Sequence, residues 1–110
     1  MLGLKSRTRN LAMCDAAAIK AAVSPAGFYR AELPKMPAPH REHGWVDGGL
    51  CPFHPDKHAR NFRVNLDSGG FTCFACGAKG GDIVTFTQLR HGLSFPDALK
   101  AIASAWGVRR

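Results

Sequence analysis

Four side chains in this 110-residue chain have the types and spacing to hold a metal. Cys51-Pro52-Phe53-His54 puts a thiol and an imidazole on one short turn, and Cys73-Phe74-Ala75-Cys76 puts two thiols on another. Zinc takes four soft or borderline ligands in a tetrahedron, and a pair of ligands from a single tight turn grips one edge of it. Two such turns joined by a hairpin close the figure. The 18 residues between His54 and Cys73 contain the strand and turn such a hairpin needs. Cys51, His54, Cys73 and Cys76 are therefore the expected ligands of one Zn2+. Four protein ligands leave no position for water, so the ion is expected to be structural, and no catalytic residue is singled out. Three thiolates around one Zn2+ leave about one negative charge. Cys73 and Cys76 also have redox-pair spacing, but no strand–helix–strand pattern surrounds them. Cys14 has no place in a filled tetrahedron and reads as a small buried residue beside the first helix.

The elements that must position these ligands follow from pattern. Phe62, Val64 and Leu66 alternate with Asn61, Arg63 and Asn65, the period of a half-buried strand with Arg63 on its wet face. Asp67-Ser68-Gly69-Gly70 is a turn, and Phe71-Thr72-Cys73-Phe74 is the partner strand. Trp45-Val46 opens the compact part, with a tight turn at Asp47-Gly48-Gly49. Gly77 allows the left-handed backbone such knuckles need. Gly80-Gly81 is expected to break the sheet. Asp82 caps a helix to about Arg90, ended by His91-Gly92. Ser94 caps a second helix with Asp97 in its first turn. Phe95, Ala98, Leu99, Ile102 and Trp106 form its apolar stripe.

Upstream, Asp15 to Val23 reads as a short Ala-rich helix that Ser24-Pro25 stops. Phe28 to Leu33 reads as extended, and Leu33 to His40, with Pro34, Pro37 and Pro39, as a linker. The expected organisation is a basic, disordered tail over 1–14, a helix and Pro-rich linker over 15–43, and a metal-stabilised α+β unit over 44–110. That unit is a small antiparallel sheet flanked by helices.

Fifteen Lys and Arg against eight Asp and Glu give a net charge of +7, which favours acidic partners, nucleic acid first. No run of 18 apolar residues and no secretory leader is present, so no membrane association and a reducing cytoplasm are expected. In that compartment, clustered cysteines read as metal ligands.

The string Gly49-Leu50-Cys51-Pro52-Phe53-His54, then Phe62-Arg63-Val64, Phe71-Thr72-Cys73-Phe74-Ala75-Cys76-Gly77, Gly80-Gly81-Asp82-Ile83 and Ser94-Phe95-Pro96-Asp97-Ala98 resembles the CHC2 zinc finger of DnaG-type bacterial and phage DNA primases. The resemblance covers about residues 44–107. It implies a zinc ribbon with Cys51, His54, Cys73 and Cys76 as ligands. It also implies contact with single-stranded DNA template, a role in choosing where primers start, and polymerising chemistry in a separate catalytic part. The loop from His54 to Phe62 is one residue longer here than in the family pattern. Since the sequence stops at Arg110, primer synthesis is expected to need a primase catalytic subunit, with the replicative helicase as another primosome partner. The alternative is a zinc-ribbon adaptor whose main partner is a replication protein, docked through the amino-terminal helix and linker.

A single-strand binder needs cations for phosphates and flat faces for bases. Lys57, Arg60, Arg63 and Lys79 are the expected contacts, with Arg90 a further cation and His58 and Phe74 candidate stacking faces. Each also has a plainer reading. Lys79 could offset the negative zinc site, Arg90 the helix dipole, and Phe74 could be core. Lys5, Arg7 and Arg9 read as a solubilising arm.

Overall fold

The computed structural model describes residues 16–55 and 61–108. Asp15, Cys14, the basic arm, the expected cations Lys57 and Arg60 and the candidate stacking face His58 lie outside the described residues.

Two helices, α1 (Ala16–Ala22) and α2 (Pro25–Glu32), precede strands β1 (Trp45–Asp47), β2 (Phe62–Asn65), β3 (Phe71–Cys73) and β4 (Lys79–Gly80). Helices α3 (Ile83–His91) and α4 (Phe95–Trp106) follow. The strands form one antiparallel meander in the order β1-β2-β3-β4. The fold is α+β, with the helices packed on one face of the sheet.

The strands form where alternation allows one face to be buried. Val46, Phe62, Val64, Phe71 and Cys73 point into the core. Arg63, Asn65 and Thr72 alternate outward and are half-buried. Asn65 also makes the β2–β3 turn, its side-chain oxygen accepting from the amides of Asp67 and Ser68 at 2.8 and 2.9 Å. The expected turn after β1 is present: Asp47 Oδ1 accepts from the Gly49 amide at 2.8 Å.

Phe86 of α3 is the centre of the core. Its ring lies 5.1–5.7 Å from those of Tyr29, Phe28, Phe53 and Phe71, in edge-on contacts that suit the aromatic quadrupole. Six of the ten aromatics, Phe28, Tyr29, Phe53, Phe62, Phe71 and Phe86, meet at this one place, which lets a short chain build a core from few rings. Asp82 and Ser94 cap α3 and α4 as expected, accepting from the Thr85 and Asp97 amides. On α4, Ala98, Leu99 and Ile102 are buried, whereas Phe95 and Trp106 at the ends of the stripe are exposed. Trp106 still stacks on Phe28 at 6.3 Å.

Three expectations need correction. Residues 28–32 are helical, not extended: Ser24 is the N-cap of α2, accepting from the Gly27 amide, and Pro25 is its first residue. Ser-Pro ends one helix here and begins the next, since Pro at N1 gives up no bonded amide. Gly80 does not break the sheet but closes it, pairing with Phe71. Residues 33–40 contain no regular element, yet Leu33 is buried and Met36 packs on the core. Helices α1 and α2 thus share one core with the sheet, through Ile19, Val23, Phe28 and Tyr29.

Candidate metal centre and sheet face

Each ligand pair is held by its own turn. In the first, the Phe53 amide donates to Cys51 Sγ at 3.4 Å. The Phe53 ring, between the two ligands, reaches into the core against Phe62, Phe71 and Phe86. In the second, the Cys76 amide donates to Cys73 Sγ at 3.5 Å, and the Gly77 amide to the Cys73 carbonyl at 2.9 Å. Gly77 has φ +80°, so this turn requires the left-handed backbone that glycine supplies. Strand β3 carries Cys73, and its amide bond to the Ala78 carbonyl at 2.8 Å folds the second knuckle back toward β4.

The geometry brings all four expected ligands together. The thiol sulfurs of Cys51, Cys73 and Cys76 and the His54 imidazole lie within 4.8 Å of one another. Cys51 Sγ and Cys76 Sγ are 3.8 Å apart. Two thiolates at about 2.3 Å from a tetrahedral zinc are separated by about 3.8 Å, so this edge already has the length the ion needs. The donor set fits Zn2+, which these residues hold as a structural ion that ties β3 to the turn after β1.

Burial pushes the Cys51 thiol up to about 12. Burial also raises the Cys73 thiol, but the Cys76 and Ala75 amides and the neighbouring thiols outweigh it and hold it below the ordinary thiol range. Zinc binds thiolate, so the Cys51 proton must leave when the metal arrives.

The opposite face of the sheet is open. Register places Asp47, Arg63, Thr72 and Lys79 in one row across β1 to β4. A second row holds Trp45, Asn65 and Gly70. The Phe74 amide donates to the Asn61 carbonyl at 2.8 Å, which continues the β2–β3 ladder one residue beyond β3. Phe74 therefore projects to the same face as Thr72 and is 72% exposed, so it is not core. Of the expected cations, Arg63 and Lys79 meet on this face. Arg90 sits in the last turn of α3, outside the sheet. Trp45 was not among the expected contacts, although its alternation with the inward Val46 signals an outward ring.

The sequence profile of the CHC2 zinc finger matches residues 41–110. The DNA primase of Deinococcus radiodurans is 43% identical over 61 residues, 56% of this chain and 10% of that protein. The DNA primase of Enterococcus faecalis is 46% identical over 55 residues, 50% of this chain and 8% of that one. The chain thus spans about a tenth of the length of these relatives. The crystal structure of the Aquifex aeolicus primase, comprising zinc-binding and RNA polymerase domains, superposes with a TM-score of 0.63 over 84% of this chain and 21% of that one. At 24% identity that likeness speaks for the fold. Fold, ligand set and profile agree: the chain belongs to the CHC2 zinc-finger family, the zinc-binding domain of DnaG-type DNA primases.

Proposed function

We propose that the open sheet face contacts single-stranded DNA template and so takes part in recognising where primer synthesis begins. The polymerising chemistry belongs to a primase catalytic partner, with the replicative helicase as a further partner. One observation carries the reading. Arg63 and Lys79 share a row across the sheet, and an exposed Phe74 ring lies one step along the same face. Cations beside a flat apolar ring are what a single strand needs, phosphates on the first and bases on the second. An exposed ring beside cations offers a stacking face, and stacking is worth about 1–3 kcal/mol per base. The net charge of +7 adds a long-range attraction for the strand. Lys57 and Arg60, which lie in sequence between the first ligand pair and β2, are proposed as further phosphate contacts.

Titration of the zinc-loaded chain with single-stranded and duplex oligonucleotides at low and physiological salt tests the reading. Preference for single strands, steep loss with salt and weakening by Arg63→Ala and Lys79→Ala are expected. Binding indifferent to strand type and to both substitutions would turn the proposal toward a protein-directed adaptor. For that alternative, the amino-terminal helices already place their apolar residues in this chain's own core.

A further inference from the structure

Trp45 is 44% exposed, and its placement is unusual for an exposed ring. It starts on β1, opposite Asn65 of β2, and Gly70, the residue just before β3, lies beyond Asn65. A Cβ built on Gly70 would meet the tip of the indole at 3.4 Å. The tip of the ring therefore reaches across the sheet to a buried residue without a side chain. An indole backed by a sheet on one side and open on the other is a rigid stacking platform.

Beside this ring runs a groove of about 200 Å³. One wall is Trp45, Asp47 and Arg63; the other is the irregular segment with Pro39, His40 and Arg41. Residues 37–40 of that wall precede the stretch that matches the family profile, so the groove combines the ribbon with a part of the chain outside it. Its chemistry is divided. Asp47, tied through Oδ1 to the Gly49 amide and opposite Arg63 across β1 and β2, disfavours a phosphate directly beside it. Arg41 and Arg63 attract one. A flat, neutral heterocycle with a phosphate attached matches that division.

We infer that the groove between the Pro37–Arg41 segment and the β1–β2 edge is a subsite for one base of a single strand. The base stacks on the Trp45 indole, and the adjoining phosphate lies on Arg41 and Arg63. The inference rests on the proposal that the sheet face contacts single-stranded DNA, and it names where on that face one base is held. The strand then runs from the Phe74 end of the face to the Trp45 end. Asn61, opposite Phe74, and Asn65, opposite Trp45, are four residues apart, or about 13 Å in the strand direction.

The full zinc-loaded chain provides the test, in a Trp106→Phe background where Trp45 is the one tryptophan. Titration with a 12-residue oligo(dT) is expected to quench Trp45 fluorescence. Trp45→Ala is expected to weaken binding by about 5- to 150-fold, the range for loss of one stacked base. Trp45→Phe should retain most of the affinity, and Arg41→Ala should weaken binding and flatten its salt dependence. Zinc content and circular dichroism confirm that each variant is folded, and the quenching experiment needs no change at Trp45. Titration with dAMP separates a subsite for a free nucleotide, which would quench alone, from one that needs the strand, which is the expected result. Unquenched Trp45 in a chain that binds oligo(dT) and is weakened by Lys79→Ala overturns the groove and leaves the sheet-face reading standing. No binding of oligo(dT) by the unaltered chain at low salt removes that reading and the groove with it.

Discussion

The Tyr29 hydroxyl donates a hydrogen bond of 2.6 Å to the carbonyl of Gly69, forty residues away and buried. It ties α2 to the β2–β3 turn, the same turn that sets the register of the sheet face. Burial, with the Asp82 carboxylate as a lesser cause, holds the Tyr29 hydroxyl well above its ordinary pKa, so it remains a donor at any working pH. Tyr29→Phe keeps the ring among Phe28 and Phe86 but removes the donor. A buried carbonyl that loses its partner costs about 1–3 kcal/mol, expected as a lower urea midpoint for the zinc-loaded chain. An unchanged midpoint would mean that the bond adds nothing to stability.

The zinc site was legible in the sequence because it is local. Each ligand pair has two residues between its members, and the alternation of Phe62, Arg63 and Val64 announces the hairpin between the pairs. The amino-terminal third was less legible. Ser24-Pro25 carries two meanings, a stop for the helix before it and a cap with N1 proline for the helix after it, and only packing decides between them. Phe28 and Tyr29 look extended alone but become helical because both rings reach Phe86. Phe74 could be placed on a face by alternation, but whether that face is covered depends on which side the helices choose. Trp45 needed a fact about the sheet, that Gly70 lies in its row beyond Asn65.

Gly80 illustrates the same limit and gives a test. It reads as a sheet breaker, yet a Cβ there would lie 2.6 Å from both the Phe71 ring and the Thr85 methyl. Both belong to packed elements that cannot retreat cheaply. Gly80→Ala is expected to cost roughly 1–3 kcal/mol through overpacking. Gly81→Ala, where a Cβ meets nothing within 4 Å, should be close to neutral. Thermal unfolding of the two variants decides; equal midpoints would show that α3 does not press on β4 as tightly as the distances require.

His43 and Asp67 make an exposed clasp, with Nδ1 2.7 Å from Oδ1, while Asp67 Oδ2 accepts from the Gly44 amide at 2.9 Å. The Asp67 hydrogen bond and charge raise the His43 pKa, and His43 and the Gly44 amide lower that of Asp67. The signs define a window. The histidine's contribution is full below about 6.5 and is lost as pH rises through its raised value. The carboxylate's contribution is present above about 3.9 and is lost as pH falls through its lowered value. An NMR titration should therefore find His43 above the usual histidine range, and Asp67→Asn should return it toward that range. A His43 value that ignores this substitution would mean the clasp is open in solution.

Zinc removal should have the largest effect, and its pH dependence has a definite sign. The ion joins Cys51 and His54 to Cys73 and Cys76, and the Phe53 ring carries the first pair into the aromatic core. Binding energy in such sites is folding energy, so a strong chelator is expected to collapse the sheet's near-ultraviolet signal and lower the thermal midpoint sharply. Cys51→Ser and Cys73→Ser should do the same without chelator and leave less than one zinc per chain. Before zinc arrives Cys51 is protonated near neutral pH, whether buried, where its thiol is pushed up to about 12, or exposed in an unfolded chain with the ordinary value of about 8.5. Zinc uptake must therefore release protons, and affinity must fall as the solution is acidified. Calorimetric titration with zinc in two buffers of different ionisation enthalpy measures that release. Uptake of one zinc with no proton released would require Cys51 to be a thiolate before the metal arrives, contrary to its burial.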